Sequence, residues 1–337
     1  MRRIQAFLWN QPNLDFRLFV MRVAIGLVII SFTILGPFDR FHVDGADLLY
    51  RPVGPFRFIP AMSLEVFEVL KAAIVISGLV WVIGYKTRIA NVVLALSYFV
   101  FSYYVGQFST QLFSYITHLN FFLILLCFVD TSRFWSVDRL RSPALRDRVY
   151  TPSQQELASF VLAFMQLYLI AFYMQAGGSK LLIGGRDWFL TGDTPYFATI
   201  ASGTTPGLAL TAHRWLFTCV SLFTGFFELG FFLVLFRRFR PLFAYGVIAF
   251  HFGILLNINI FFYQLSVLVP LVFLFQDTRN LRRATVGVFA YLALAGVLVA
   301  FTPLSARPLG TTARDGTQLE RTLDQRGLLT ARETRLP

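Results

Sequence analysis

The sequence predicts an all-α, polytopic integral membrane protein: a helical bundle of about eight or nine transmembrane helices with a cytoplasmic N-terminus. Three observations carry this expectation. Apolar residues make up 56% of the 337 residues and charged residues only 14%, where a soluble domain carries about 25% charged residues. The mean hydropathy is +0.63, more apolar surface than a soluble protein of this length could hide. The loops between apolar runs also alternate in charge. Arg2 and Arg3 precede the first run, Lys86 and Arg88 lie between the second and third, and a basic cluster from Arg133 to Arg148 follows the fourth. Arg237, Arg238 and Arg240 follow the sixth, and Arg279, Arg282 and Arg283 the eighth, whereas 106–112 is uncharged. Short loops rich in Lys and Arg stay cytoplasmic, so every second loop marks the inside.

The expected spans are roughly 16–36, 66–85, 89–106, 111–130, 157–176, 215–236, 242–257, 260–276 and 284–302. A helix needs about 20 residues to cross the hydrocarbon. The stretch 241–276 is too long for one span and is flanked by basic clusters, so the chain turns back near Asn257 and Asn259, either as two spans or as a re-entrant hairpin. Pro270 bends the second half, because proline removes a helix hydrogen bond. Ser153 to Glu156 forms a capping-box pattern that starts the fifth helix. Residues 1–302 form the membrane domain; 303–337 is a polar, flexible, extracytoplasmic tail with too little apolar surface for a core. Of two further outer segments, 37–65 reads as proline- and glycine-rich, and 177–214 holds Gly177, Gly178, Gly184 and Gly185.

The net charge of +12 is explained by topology, since the cations cluster at span ends, and no nucleic-acid partner is expected. Cys127 and Cys219 lie inside apolar runs, which argues against a disulfide framework and a zinc site, and no metal is expected. The first apolar run lacks a small-residue cleavage site and reads as a retained span. The expected location is a plasma membrane (a bacterial inner membrane), crossed several times.

Ionisable groups inside spans mark functional or interhelical sites. Arg17 and Arg22, near the inner end of their helix, could reach lipid phosphates. Glu68 and Lys71 are spaced to pair on one helix face. His118, with Thr117 and Asn120 beside it, reads either as a packing residue or as a proton carrier. Glu228 is deep in its span and must be protonated or paired. His251 and the Asn257/Asn259 pair read equally as interhelical hydrogen-bonding groups. Lys180 follows a Gly-Gly turn at a helix end. Burial there would disfavour its charged form and leave a basic amine; alternatively it caps the helix or binds a headgroup.

The run from Tyr173 through Gly177, Gly178, Ser179 and Lys180 to Leu181, followed by Asp187, Trp188 and Gly192, resembles the horizontally transferred transmembrane (HTTM) domain family, which is related to the vitamin K-dependent gamma-carboxylases. The segments from Tyr115 to Asp130, around His118, and from Phe250 to Leu274, around His251, resemble that family's two histidine-bearing helices. The resemblance covers roughly 10–300 and implies that Lys180 is a catalytic base toward a reduced quinone, a vitamin K hydroquinone-like cofactor, with His118 assisting the proton chemistry. Here Ser179 stands where the carboxylases have a first lysine, extra residues precede Asp187, and only a short polar tail follows the last span. The reading is therefore a membrane-embedded, carboxylase- or epoxidase-like enzyme with Lys180, His118, His251 and Glu228 as its site. The alternative is a non-catalytic membrane partner in maturation or export of a secreted peptide. A thiol-disulfide oxidoreductase is a further expected partner. The absence of a visible internal repeat argues mildly against a transporter.

Overall fold

The fold is taken from a computed structural model, which describes residues 2–36, 38, 50, 60–108, 110–142, 144, 149–202, 204–258, 260, 262–275 and 280–301. The expected tail, most of the outer segment 37–65, and Asn259 at the expected turn lie outside the described residues. Among the described residues every regular element is helical. Six helices are long and apolar enough to cross a membrane: 14–35, 64–83, 87–106, 152–189, 214–235 and 240–258; two apolar stretches, 117–127 and 263–274, are shorter. The expected hairpin resolves into two helices, Arg240–Ile258 and Tyr263–Leu274. The chain divides into two compact units, one of 1–172, 232–248 and 262–309, the other of 173–231, 249–261 and 310–337.

The first unit is organised around α2 (Leu14–Leu35), after the short α1 (Arg2–Trp9). Helix α2 is apolar on all sides, and 17 of its residues are buried, as expected of a helix enclosed by others. Helices α3 (Leu64–Ile83), α4 (Thr87–Gly106) and α5 (Thr110–Cys127) follow, each packed on its predecessor, with α3 against α2. Small residues permit the α2–α3 approach: a Cβ on Gly26 would stand 2.4 Å from Val82, and one on Gly78 2.9 Å from Ile30.

Gly84 ends α3 in the left-handed conformation that glycine tolerates, with φ 75°. Lys86 and Thr87 then open α4, and Asp138, in the short α6 (Val137–Arg141), caps that opening. Its carboxylate accepts from the backbone N–H groups of Lys86 and Thr87, both at 2.8 Å, and from the Thr87 hydroxyl at 2.6 Å. A carboxylate over an unsatisfied helix N-terminus satisfies its donors and its dipole together. The expectation that Arg22 reaches lipid phosphates is corrected: Arg22 is fully buried, and its guanidinium donates to the carbonyls of Thr131 and Trp135. Arg17 is likewise buried and donates to Gln11. Both cations tie helices to loops inside the protein, because carbonyls there cannot be satisfied by water. Arg133 stacks 3.7 Å over the Tyr150 ring, whose hydroxyl donates to Asp15 at 2.6 Å. Glu68 and Lys71 pair as expected, at 2.8 Å.

Helix α7 (Pro152–Ser179) starts two residues earlier than the capping box at Ser153 predicts. Gln154 N–H donates to the Thr151 hydroxyl and Thr151 N–H to the Gln154 side chain, both at 3.3 Å, so the box is Thr151 to Gln154. Pro152 occupies the first helical position, where its missing N–H costs nothing and its fixed φ favours the start, and this moves the box. Later in the unit, Pro270 lies inside α13 (Tyr263–Leu274) and cannot bond the carbonyl of Ser266. The Tyr291 hydroxyl, from α14 (Leu281–Phe301), donates to that carbonyl instead.

The second unit contains the end of α7, a π-helical turn (Lys180–Gly184), α8 (Gly185–Phe189), α9 (Asp193–Ser202), α10 (Thr205–Leu210) and α11 (Arg214–Leu229), with part of α12 (Arg240–Ile258). Helix α11 packs on α8 and α9. Gly192, at φ 66°, lies so close to Phe217 and Thr218 that an added Cβ would stand 2.5 Å from their backbone. Thr199 donates to the Asn257 side chain at 3.1 Å, and Thr204 N–H to the Asn257 carbonyl at 3.2 Å.

Candidate functional site

The expected Gly-Gly turn before Lys180 is helix instead. Gly177 and Gly178 belong to the last turn of α7, and Lys180 opens the π-helical turn. The role of Gly177 is close approach, not chain reversal: a Cβ there would stand 3.0 Å from the Glu228 Cβ and 3.0 Å from the Leu229 backbone nitrogen. Helices α7 and α11 therefore meet where their two ionisable side chains project. π-Turns are uncommon and occur frequently at functional sites.

Lys180 Nζ lies 2.7 and 2.6 Å from the two oxygens of Glu228. The Glu228 side chain is 5% exposed and that of Lys180 22%. The carboxylate that had to be protonated or paired is paired, with the amine expected to act as base. The indole of Trp188, in α8, lies 5.3 Å from Nζ, and its Nε1 is buried without a hydrogen-bond partner. The aromatic face further screens the ammonium from water.

His251, in α12, is buried in the same unit, with Nε2 3.4 Å from the Tyr173 hydroxyl. Tyr173 stacks on Phe231 with ring centroids 4.2 Å apart. The unit thus holds two polar pairs, Lys180 with Glu228 and Tyr173 with His251. Tyr173 had no role in the residue-by-residue reading. Its signal was its position, two helical turns before Lys180 and thus near the same helix face.

His118 belongs to the first unit. It is buried, and neither ring nitrogen has a hydrogen-bond partner. Phe122 and Phe172 flank the ring at centroid distances of 6.3 and 6.2 Å. Asn120 turns to another helix, donating to the Ser102 hydroxyl at 2.5 Å. Among the described residues no group of three or more His, Cys, Asp or Glu side chains could hold a metal ion.

The class is that of a multi-pass membrane protein, helical in its described regular elements, with a buried glutamate paired to a half-buried lysine in its second unit. A family model, the HTTM domain, matches residues 10–278. The chain belongs to the HTTM domain family, whose membrane domain is related to that of the vitamin K-dependent carboxylases. No curated protein and no solved structure matches it.

Proposed function

We propose that the protein is a membrane-embedded enzyme in which Lys180 acts as a base toward a lipid-soluble, quinol-like substrate. The observation that carries this reading is the pairing of half-buried Lys180 with buried Glu228. Away from water, an ion pair loses the hydration that favours charge, so its neutral form, with the proton on the carboxyl, comes closer in energy. Lys180 then offers a lone pair at Nζ, and Glu228 keeps the displaced proton within hydrogen-bond distance. When Lys180 takes up a proton, the ammonium is held by whatever negative charge Glu228 carries. A general base of this kind must be within hydrogen-bond reach of the proton it abstracts.

The residues present fit an aromatic alcohol. The buried Nε1 of Trp188 is a donor without a partner, beside the amine, and could hold an oxygen there. A bound quinol would supply a weakly acidic hydroxyl and, after its loss of a proton, reducing electrons for reaction with oxygen. Tyr173 and His251, paired with each other in the same unit, would offer a path by which a proton leaves.

In this reading the N-terminus is cytoplasmic, the chain crosses a bacterial inner membrane eight or nine times, and Lys180 lies near the outer face. A thiol-disulfide oxidoreductase is the partner that would regenerate the quinol, and a secreted peptide is the partner of the non-catalytic alternative. The test is oxygen consumption by the purified protein in lipid nanodiscs supplied with a reduced naphthoquinone. Lys180→Ala should abolish the quinol-dependent rate. A rate unchanged by Lys180→Ala removes the base assignment, and no rate in the folded wild-type protein leaves the non-catalytic partner role.

A further inference from the structure

Helix α7 contains 28 residues. At about 1.5 Å per residue it is about 42 Å long, enough to cross about 30 Å of hydrocarbon and most of both headgroup layers. Lys180 therefore follows the helix at a membrane surface. The side chains after it do not suit water. Leu182 and Ile183 are 85% and 86% exposed, the most exposed large apolar side chains among the described residues, and Leu181 and Leu190 are exposed as well. The chain then turns at Gly185, in the left-handed region at φ 47°. Helix α8 folds back on the π-helical turn and brings Trp188 to 5.3 Å from Lys180 Nζ. Leu182 and Ile183 are thus the tip of a loop whose two limbs carry the amine and the indole.

The surroundings of the tip identify what covers it. Helix α11 packs on α8 and begins at Arg214 and Trp215, both exposed. An exposed tryptophan beside a cation at the end of an apolar helix marks the membrane–water interface. Val220, Phe223 and Phe226 continue an exposed apolar surface along α11, where a membrane-spanning helix is covered by lipid. On α8 itself, Arg186 and Asp187 are exposed next to the tip. Apolar side chains with charges directly behind them settle in the interface plane, the apolar part among the acyl chains and the charges at the headgroups.

We propose that the loop from Leu181 to Leu190 is an interfacial wedge, with Leu182 and Ile183 among the acyl chains of the lipid, so that the Lys180 site is entered from the bilayer and not from water. The wedge is independent of the quinol reading; its use as an entrance rests on that reading. The full-length protein, with Cys127 and Cys219 replaced by serine, is placed in phosphatidylcholine nanodiscs. Leu182→Cys, Ile183→Cys and Arg186→Cys each receive a nitroxide label. Collisions with oxygen, which concentrates in hydrocarbon, are compared with collisions with a water-soluble nickel chelate. The oxygen-to-chelate ratio at 182 and 183 should be several-fold that at 186. A ratio at 182 and 183 as low as at 186 overturns the wedge, and so does a label shielded from both reagents, since a protein surface then covers the tip. In the oxygen-consumption assay, Leu182→Asn together with Ile183→Asn should raise the KM for the reduced naphthoquinone several-fold and leave kcat unchanged. A fall in kcat at unchanged KM overturns the entrance. If the wild-type protein shows no rate, the quinol reading and the entrance fail together, and the labels still decide the wedge.

Discussion

Gly177 and Glu228 are packed so closely that a single methyl on the glycine would stand 3.0 Å from the glutamate Cβ. The contact sets the separation of α7 and α11, and so holds the carboxylate within reach of Lys180. Gly177→Ala requires Glu228 and the Leu229 backbone to give way by a few tenths of an ångström. Overpacking of this kind costs about 1–3 kcal/mol. The expected outcome is a lowered thermal midpoint together with a loss of any Lys180-dependent activity. Gly178→Ala meets open space and should leave both unchanged, which makes it the matched control.

The Lys180–Glu228 pair also predicts a double-mutant result. Removing one partner leaves a buried charge, at a cost of about 3–5 kcal/mol, lessened here because the Lys180 side chain is 22% exposed. Lys180→Met and Glu228→Leu should each destabilise the protein, while the double variant recovers much of the loss. Strict additivity of the two midpoint shifts would show that the side chains do not interact.

Asp138 predicts an acid-sensitive step on the loop side. Burial works against its charge. The hydrogen bonds from Thr87 and Lys86 and the charge of Arg22 outweigh that and hold its carboxyl below the usual carboxylate range. A depressed folded-state value means the stabilisation is complete above the ordinary carboxylate range and is lost as pH falls through and below it. Asp138→Ala should remove about 1 kcal/mol at neutral pH, as helix-cap losses do. Its midpoint should converge on that of the wild type in acid. A difference that persists unchanged at low pH would contradict the cap.

Tyr291 and Pro270 are coupled through a carbonyl that neither owns. Tyr291→Phe leaves the Ser266 oxygen without its donor, at about 1 kcal/mol. In a Pro270→Ala background the new backbone N–H can reach Ser266, and the same Tyr291→Phe change should cost less. Equal costs in both backgrounds would separate the two residues.

Much of the fold was legible because hydropathy and helix length are local quantities. The run that became α2 could be read as a retained span because it is long and apolar, but its enclosure by other helices was not visible, and its two arginines were read as facing headgroups. The fourth and eighth expected runs were less legible. Their apolar described stretches, 117–127 and 263–274, are short, and Pro270 interrupts the second. The start of α7 was misplaced because two capping boxes overlap, and only the proline at position 152 favours the earlier one. At the site, the chemical character of Lys180 and Glu228 was visible, but their pairing was not. They lie 48 residues apart, and no periodicity connects them. Arg22 was misread for the same reason: its acceptors, the carbonyls of Thr131 and Trp135, leave no trace in residue type. The glycine pair at 177 and 178 was mistaken for a turn, since glycine for tight helix contact and glycine for chain reversal are written with the same letter.

The wide turn from Lys180 to Gly184 accommodates more residues per revolution than the helix before it. Deleting one residue from it would tighten the turn to ordinary helical winding and shorten the path from Lys180 to the chain after Gly185. The indole at position 188 would then swing off the amine, while the amine itself, upstream, stayed where it is. A one-residue change in length could thus separate the amine from its aromatic cover without altering either side chain.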